Sequence, residues 1–195
     1  MPDLQLLTDL IAVVSALSGY PPIPVQDVPQ IRMLSTADIT REICPDRPRD
    51  CARIVAQFDA EGPQIRLNEE LNFDFAQDRS FLVHELVHVL QHRHGGKSTS
   101  SDCPSSLRAE QEAYRVQNAY LRQLGLTGRH GVMMASMTCT TEQSDGSGLR
   151  LERRNARPDD GALFEQFMES RALTQKKAAG EGGAEAVDGC GPVKC

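Results

Sequence analysis

The stretch Phe81-Leu-Val-His-Glu-Leu-Val-His-Val-Leu-Gln91 places His84, Glu85 and His88 in an H-E-x-x-H spacing inside an apolar run. At about 100° per residue, His84 and His88 stand one turn apart on one helix face, so both imidazoles reach a single cation. Glu85 lies beside them, placed to handle a proton. Val83, Leu86, Val87, Val89 and Leu90 surround the trio, which makes the stripe half buried. Two histidines four apart also arise by chance, but burying three titratable groups without a partner is costly, and a metal ion supplies the partner. The expected cofactor is Zn2+ and the expected chemistry hydrolysis.

The spacing predicts a helix capped by Asp78 and stopped at Gly95-Gly96, with the motif held mid-helix. Catalytic zinc takes three protein ligands and leaves a fourth position for water, so a third ligand is needed. His94 sits at the offset of the third histidine in the metzincin pattern H-E-x-x-H-x-x-G-x-x-H, with Met133, Met134 and Met137 downstream. Gln91 stands where that pattern requires Gly. A helix running on to Gly95 carries His94 about 240° around the axis from His88, away from the metal.

The other source is a second long helix, Ser105 to Leu124, ended by Gly125. Ala109, Ala113, Val116, Tyr120, Leu121 and Leu124 define its buried face, and Glu110 falls closer to that face than Glu112. Glu110 is therefore the first candidate and Glu112 the alternative; without the upstream motif, both would read as a solvated helix face. From Ile54 to Leu124 the chain resembles the gluzincin metallopeptidases, whose H-E-x-x-H helix is followed by a helix donating a glutamate, often within a string like Glu110-Gln-Glu-Ala113. In the thermolysin-like and CAAX-prenyl-endopeptidase branches the ligand is the first glutamate, and an acidic residue four positions later supports a zinc-bound histidine. This chain has Tyr114 there, which can hydrogen-bond behind a histidine but brings no negative charge.

The resemblance implies a zinc-activated water, with Glu85 as general base, cleaving peptide bonds in a peptide or protein substrate. For the developing oxyanion the candidates are His130, in the loop Gly128-Arg-His-Gly131, then Tyr114, Tyr120 and Arg129. His92 reads as a surface residue. The alternative reading is a catalytically silent zincin-like domain that binds a metal or a protein partner.

Upstream, Arg53 to Asp59 alternates through Ile54, Ala56 and Phe58, Asp59-Ala-Glu-Gly62 reads as a turn, and Gln64 to Asn68 alternates through Ile65 and Leu67, predicting a β-hairpin. The resemblance implies that Gln64 to Asn68 is an edge strand pairing with extended substrate; the plain alternative is an ordinary sheet strand. Leu4, Leu7, Leu10, Ile11, Val14 and Leu17 predict an N-terminal packing helix capped by Asp3 and ended by Gly19. The expected fold is α+β and zincin-like: a small antiparallel hairpin or sheet packed on the H-E-x-x-H helix and the glutamate-bearing helix, plus the N-terminal helix.

One domain, residues 1–175, is expected, with a Gly/Ala/Glu-rich tail at 176–195 too poor in apolar residues to order itself. A further helix is expected over Asp159 to Ala172. A net charge of −6 without a basic cluster gives no support to a nucleic-acid partner. No stretch is long and apolar enough to span a bilayer. The six cysteines suggest an oxidising, extracytoplasmic compartment with local pairing 44–51, 103–139 and 190–195. Against this, the N-terminus has no basic residue before Arg32 and does not read as a signal peptide, which leaves the cytoplasm as the alternative.

Overall fold

Local signals in the sequence account for most element boundaries in the computed structural model, which describes residues 1–51, 53–95, 102–139 and 152–153. In chain order these are α1 (Leu4–Ser18), β1 (Gln30–Leu34), α2 (Thr36–Ile43), β2 (Ala56–Asp59), β3 (Gln64–Asn68), α3 (Ala76–Gly95), α4 (Cys103–Gln123), and two short strands, β4 (Met137–Thr138) and β5 (Glu152–Arg153). The class is α+β. Two expectations, the helix at 159–172 and the tail at 176–195, lie outside the described residues, as does the pairing of Cys190 with Cys195.

Asp3 caps α1 as its position predicts, its carboxylate accepting from the Leu6 N–H at 2.7 Å, and Gly19 ends the helix at φ +86°. Leu7, Leu10, Ile11 and Val14 are buried, whereas Leu4, in the first turn, is 71% exposed. The Asp102 carboxylate caps α4 by accepting from the Ser105 N–H at 2.7 Å, so the helix starts two residues earlier than its apolar period suggests. Its end is a Schellman turn: Leu126 N–H donates to the Leu121 carbonyl and Gly125 N–H to that of Arg122, with Gly125 at φ +73°. That turn leaves Leu124 half exposed, contrary to its assignment to the buried face.

Between Phe81 and Leu90, α3 carries apolar residues on most sides, so this middle stretch must be covered on most sides. Leu82, Val83, Leu86, Val87, Val89 and Leu90 are buried in one cluster with α1, α4 and the sheet residues Ile65 and Leu67. Asp78 is not its N-cap. The helix begins at Ala76, and Asp78, 2% exposed in the first turn, reaches back to accept from the Asn72 N–H at 2.8 Å.

The hairpin forms, with β2 antiparallel to β3, Ala56 opposite Leu67 and Asp59 opposite Gln64, although its first strand begins at Ala56 and not at Arg53. The sheet is mixed, however, because β1 adds parallel to β3, giving the order β1-β3-β2. Strand β3 therefore sits in the middle, and the expectation that Gln64 to Asn68 forms an edge for substrate is corrected: both of its edges are occupied. Ile65 and Leu67 enter the core from one face. On the other, the Arg66 guanidinium donates to Glu42 at 2.9 Å and Asp59 at 3.0 Å, and Asn68 donates to the Thr36 hydroxyl of α2 at 2.7 Å.

Disulfides Cys44–Cys51 and Cys103–Cys139 form as expected, the first closing a short loop after α2 and the second tying the first residue of α4 to Cys139, just past β4. They fit an oxidising, extracytoplasmic compartment. Among the described residues no helix is long and apolar enough to cross a membrane.

Candidate metal centre

His84 and His88 project from α3 one turn apart, their Nε2 atoms 3.1 Å from each other and their ring centroids 4.9 Å apart. Glu110, from α4, closes the group: Oε2 lies 3.3 Å from His84 Nε2 and Oε1 3.3 Å from His88 Nε2. The three side chains could hold a metal ion, since one donor atom from each lies within 4.8 Å of the others. Both imidazoles are largely enclosed while Glu110 is 39% exposed, so the group opens to solvent on the α4 side.

The electrostatics of these atoms are tightly linked. Burial alone would push the His88 pKa down, but the adjacent Glu110 carboxylate, with Glu85 and Gln91, raises it to about 9. Burial likewise opposes the Glu110 charge, yet the two histidines hold its pKa far below the usual carboxylate range. Glu85 is 5% exposed and outside the donor group; burial raises its pKa against the pull of His84 and His88. Its Oε2 accepts from the Phe58 N–H of β2 at 2.7 Å, tying the carboxylate to an outer strand of the sheet.

Glu112 turns elsewhere, accepting from the Tyr20 hydroxyl and from Gln91 Nε2, both at 3.1 Å, and pairing with Arg115 at 3.6 Å. Two positions along a helix are about 200° of rotation, which is why only one of the two glutamates meets the histidines. His94 points away as predicted, 3.1 Å from the Pro21 carbonyl and stacked on Tyr20. His92 is half buried, its ring against Phe58.

Tyr114 meets His84 through its ring, at 4.4 Å between centroids. It does not supply a hydrogen bond behind that histidine, whose Nδ1 is buried with no hydrogen-bond partner among the described residues. Burial first, then the Glu110 and Glu85 charges, push the Tyr114 phenol up to about 12, so it stays protonated. His130 forms part of the same wall, edge-on to Phe81 at 5.5 Å. Burial, with a smaller push from His84, lowers its pKa to about 4, leaving a neutral imidazole. Its backbone is clipped twice by Asn118, at 2.9 Å in each direction. Tyr120 packs in the core, and Arg129 is exposed.

Two glycines bring this loop so close. A Cβ on Gly128 would crowd Leu121 and Asn118, and one on Gly131, at φ +69°, would overlap the Tyr114 ring. Gly131→Ala is expected to cost roughly 2–4 kcal/mol of stability from left-handed strain plus overpacking, read as a lowered melting temperature. A melting point equal to wild type would mean that the loop is free to lift off Tyr114.

Gln91, Asn118 and Phe58 escaped the sequence reading as parts of the site. Gln91 alone left a signal, a polar residue three positions after His88 on a buried helix. No curated protein and no solved structure matches the chain. Residues 2–145 match the family described as Domain of unknown function (DUF6647), and the chain belongs to that family.

Proposed function

We propose that the protein is a zinc-dependent metallopeptidase of gluzincin type, with His84, His88 and Glu110 as ligands and Glu85 as general base. The observation that carries this is the convergence of two imidazole Nε2 atoms and one carboxylate at 3.1–3.3 Å. A tetrahedral ion with bonds of about 2.0–2.1 Å keeps its ligand atoms about 3.3 Å apart, so the group needs little rearrangement to receive Zn2+. Nitrogen and oxygen donors with one side open also suit a catalytic site.

When bound, zinc supplies Lewis acidity towards a water and a scissile carbonyl. The chain's own groups do the rest. Glu85, positioned by the Phe58 N–H, takes the proton from the water and returns it to the leaving amine. His130, neutral and fixed by Asn118, and Tyr114, protonated, are the donors proposed for the developing oxyanion. Strand β2, whose Phe58 touches Glu85, replaces β3 as the proposed strand along which an extended peptide lies.

The Phe58–Glu85 bond also favours a second reading, since a carboxylate committed to holding a strand suits a metal-binding domain without turnover. Stoichiometric zinc in the purified protein, together with cleavage of a peptide library that a chelator abolishes and added zinc restores, is the result expected of the peptidase. Stoichiometric zinc with no cleavage would establish the second reading.

A further inference from the structure

We propose that Gln91 is the positioning residue for His88 and that Glu112 drives it, so that the second glutamate of α4 acts on the metal centre from behind; this rests on the metallopeptidase reading above. The geometry leaves little freedom. Gln91 is 3% exposed, and one end of its amide lies 3.0 Å from the Ala109 carbonyl oxygen and 3.1 Å from Glu112 Oε2. Both neighbours only accept hydrogen bonds, so the NH2 end must face α4 and the carbonyl end must face α3. That carbonyl oxygen, Oε1, is 2.8 Å from His88 Nδ1 and can only accept.

His88 therefore carries a proton on Nδ1, so that when a cation displaces the other ring proton it is Nε2, the nitrogen facing His84 Nε2 and the Glu110 carboxylate, that offers its lone pair. A flipped amide would set oxygen against oxygen at Ala109 and Glu112 and leave His88 facing a donor. The chain of bonds does not stop at Gln91. Glu112 is itself held by the Tyr20 hydroxyl, just past α1, and by Arg115. Its negative charge polarises the amide, giving a neutral Gln some of the effect that a carboxylate has behind a metal-bound histidine. His84 Nδ1 has no such partner among the described residues, so the orienting force on the two histidines is one-sided.

The test measures zinc affinity by chelator competition, and the His88 Nδ1 proton by 15N–1H correlation in the zinc-loaded protein. Gln91→Leu is expected to weaken zinc about 10–100-fold and to expose the Nδ1 proton to rapid exchange, with wild type showing it protected. Gln91→Glu sets two carboxylates face to face and is expected to lose as much. Adding Glu112→Gln to that variant restores a donor opposite the new carboxylate; the Ala109 carbonyl still faces an oxygen, so recovery is partial, with zinc affinity expected to rise about tenfold over Gln91→Glu alone. A residue that only fills the core would show neither the proton signature nor the rescue.

Wild-type zinc binding with Gln91→Leu equally tight, or an unprotected Nδ1 proton in wild type, overturns the proposal while leaving the metal centre standing. Should Gln91→Leu fail to fold, the exchanged pair carries the comparison, and absence of rescue overturns the proposal. Wild type that takes up no zinc at all removes the metal reading and this inference with it.

Discussion

Glu85→Gln should retain zinc at wild-type stoichiometry and lower peptide turnover by about 10²–10⁴-fold, the usual contribution of a placed general base. The substitution is nearly isosteric, and the amide oxygen can still accept from the Phe58 N–H that the carboxylate now holds at 2.7 Å. Strand β2 and α3 therefore stay joined. The cost is one new NH2 group in a site where Glu85 is 5% exposed, about 1–3 kcal/mol if it finds no acceptor. Removing a charge that burial already disfavours offsets part of this. Zinc analysis, thermal melting and peptide digestion on the same preparation separate the terms. Full turnover in the variant would take the base role away from Glu85, and loss of zinc would make Glu85 a ligand.

What the sequence disclosed and what it withheld divide along a physical line. Features set by a few consecutive residues were readable: the cap at Asp3, the stops at Gly19 and Gly125, the hairpin around Asp59–Gly62, and the placement of His84 and His88 on one face. Features that depend on what lies across from a residue were not. Strand β1 is five residues with no fully buried position, so its period is weak, and only pairing with β3 makes it a strand. That pairing turned β3 from an edge into the centre of the sheet. Asp78 carries the right chemistry for a cap, but its role depends on a loop amide six residues earlier. Gln91 was legible as an obstacle to one motif and illegible as a support for His88, because its partners, Ala109 and Glu112, come from another helix. Helical rotation alone leaned towards Glu110, and the close packing of α3 against α4 brings its carboxylate to both imidazoles.

The same rotation makes Glu110→Gln and Glu112→Gln a matched pair. Glu110→Gln should weaken zinc by more than about 100-fold, beyond what loss of a supporting hydrogen bond costs, because an amide is a poor substitute for an anionic ligand. It should also free the two imidazoles, whose Nε2 atoms stand 3.1 Å apart, from the carboxylate that now lies 3.3 Å from each. Glu112→Gln keeps an oxygen for Tyr20 and for Gln91, so its zinc affinity should stay within about tenfold of wild type. Both variants remove one negative charge from the same turn of α4. Glu112 faces away from the imidazoles and is paired with Arg115, so it controls for the loss of a charge on the helix, and the difference between the two zinc affinities reports the contact that Glu110 makes. Equal losses would mean that the helix contributes only its field, and that the third ligand lies elsewhere in the chain.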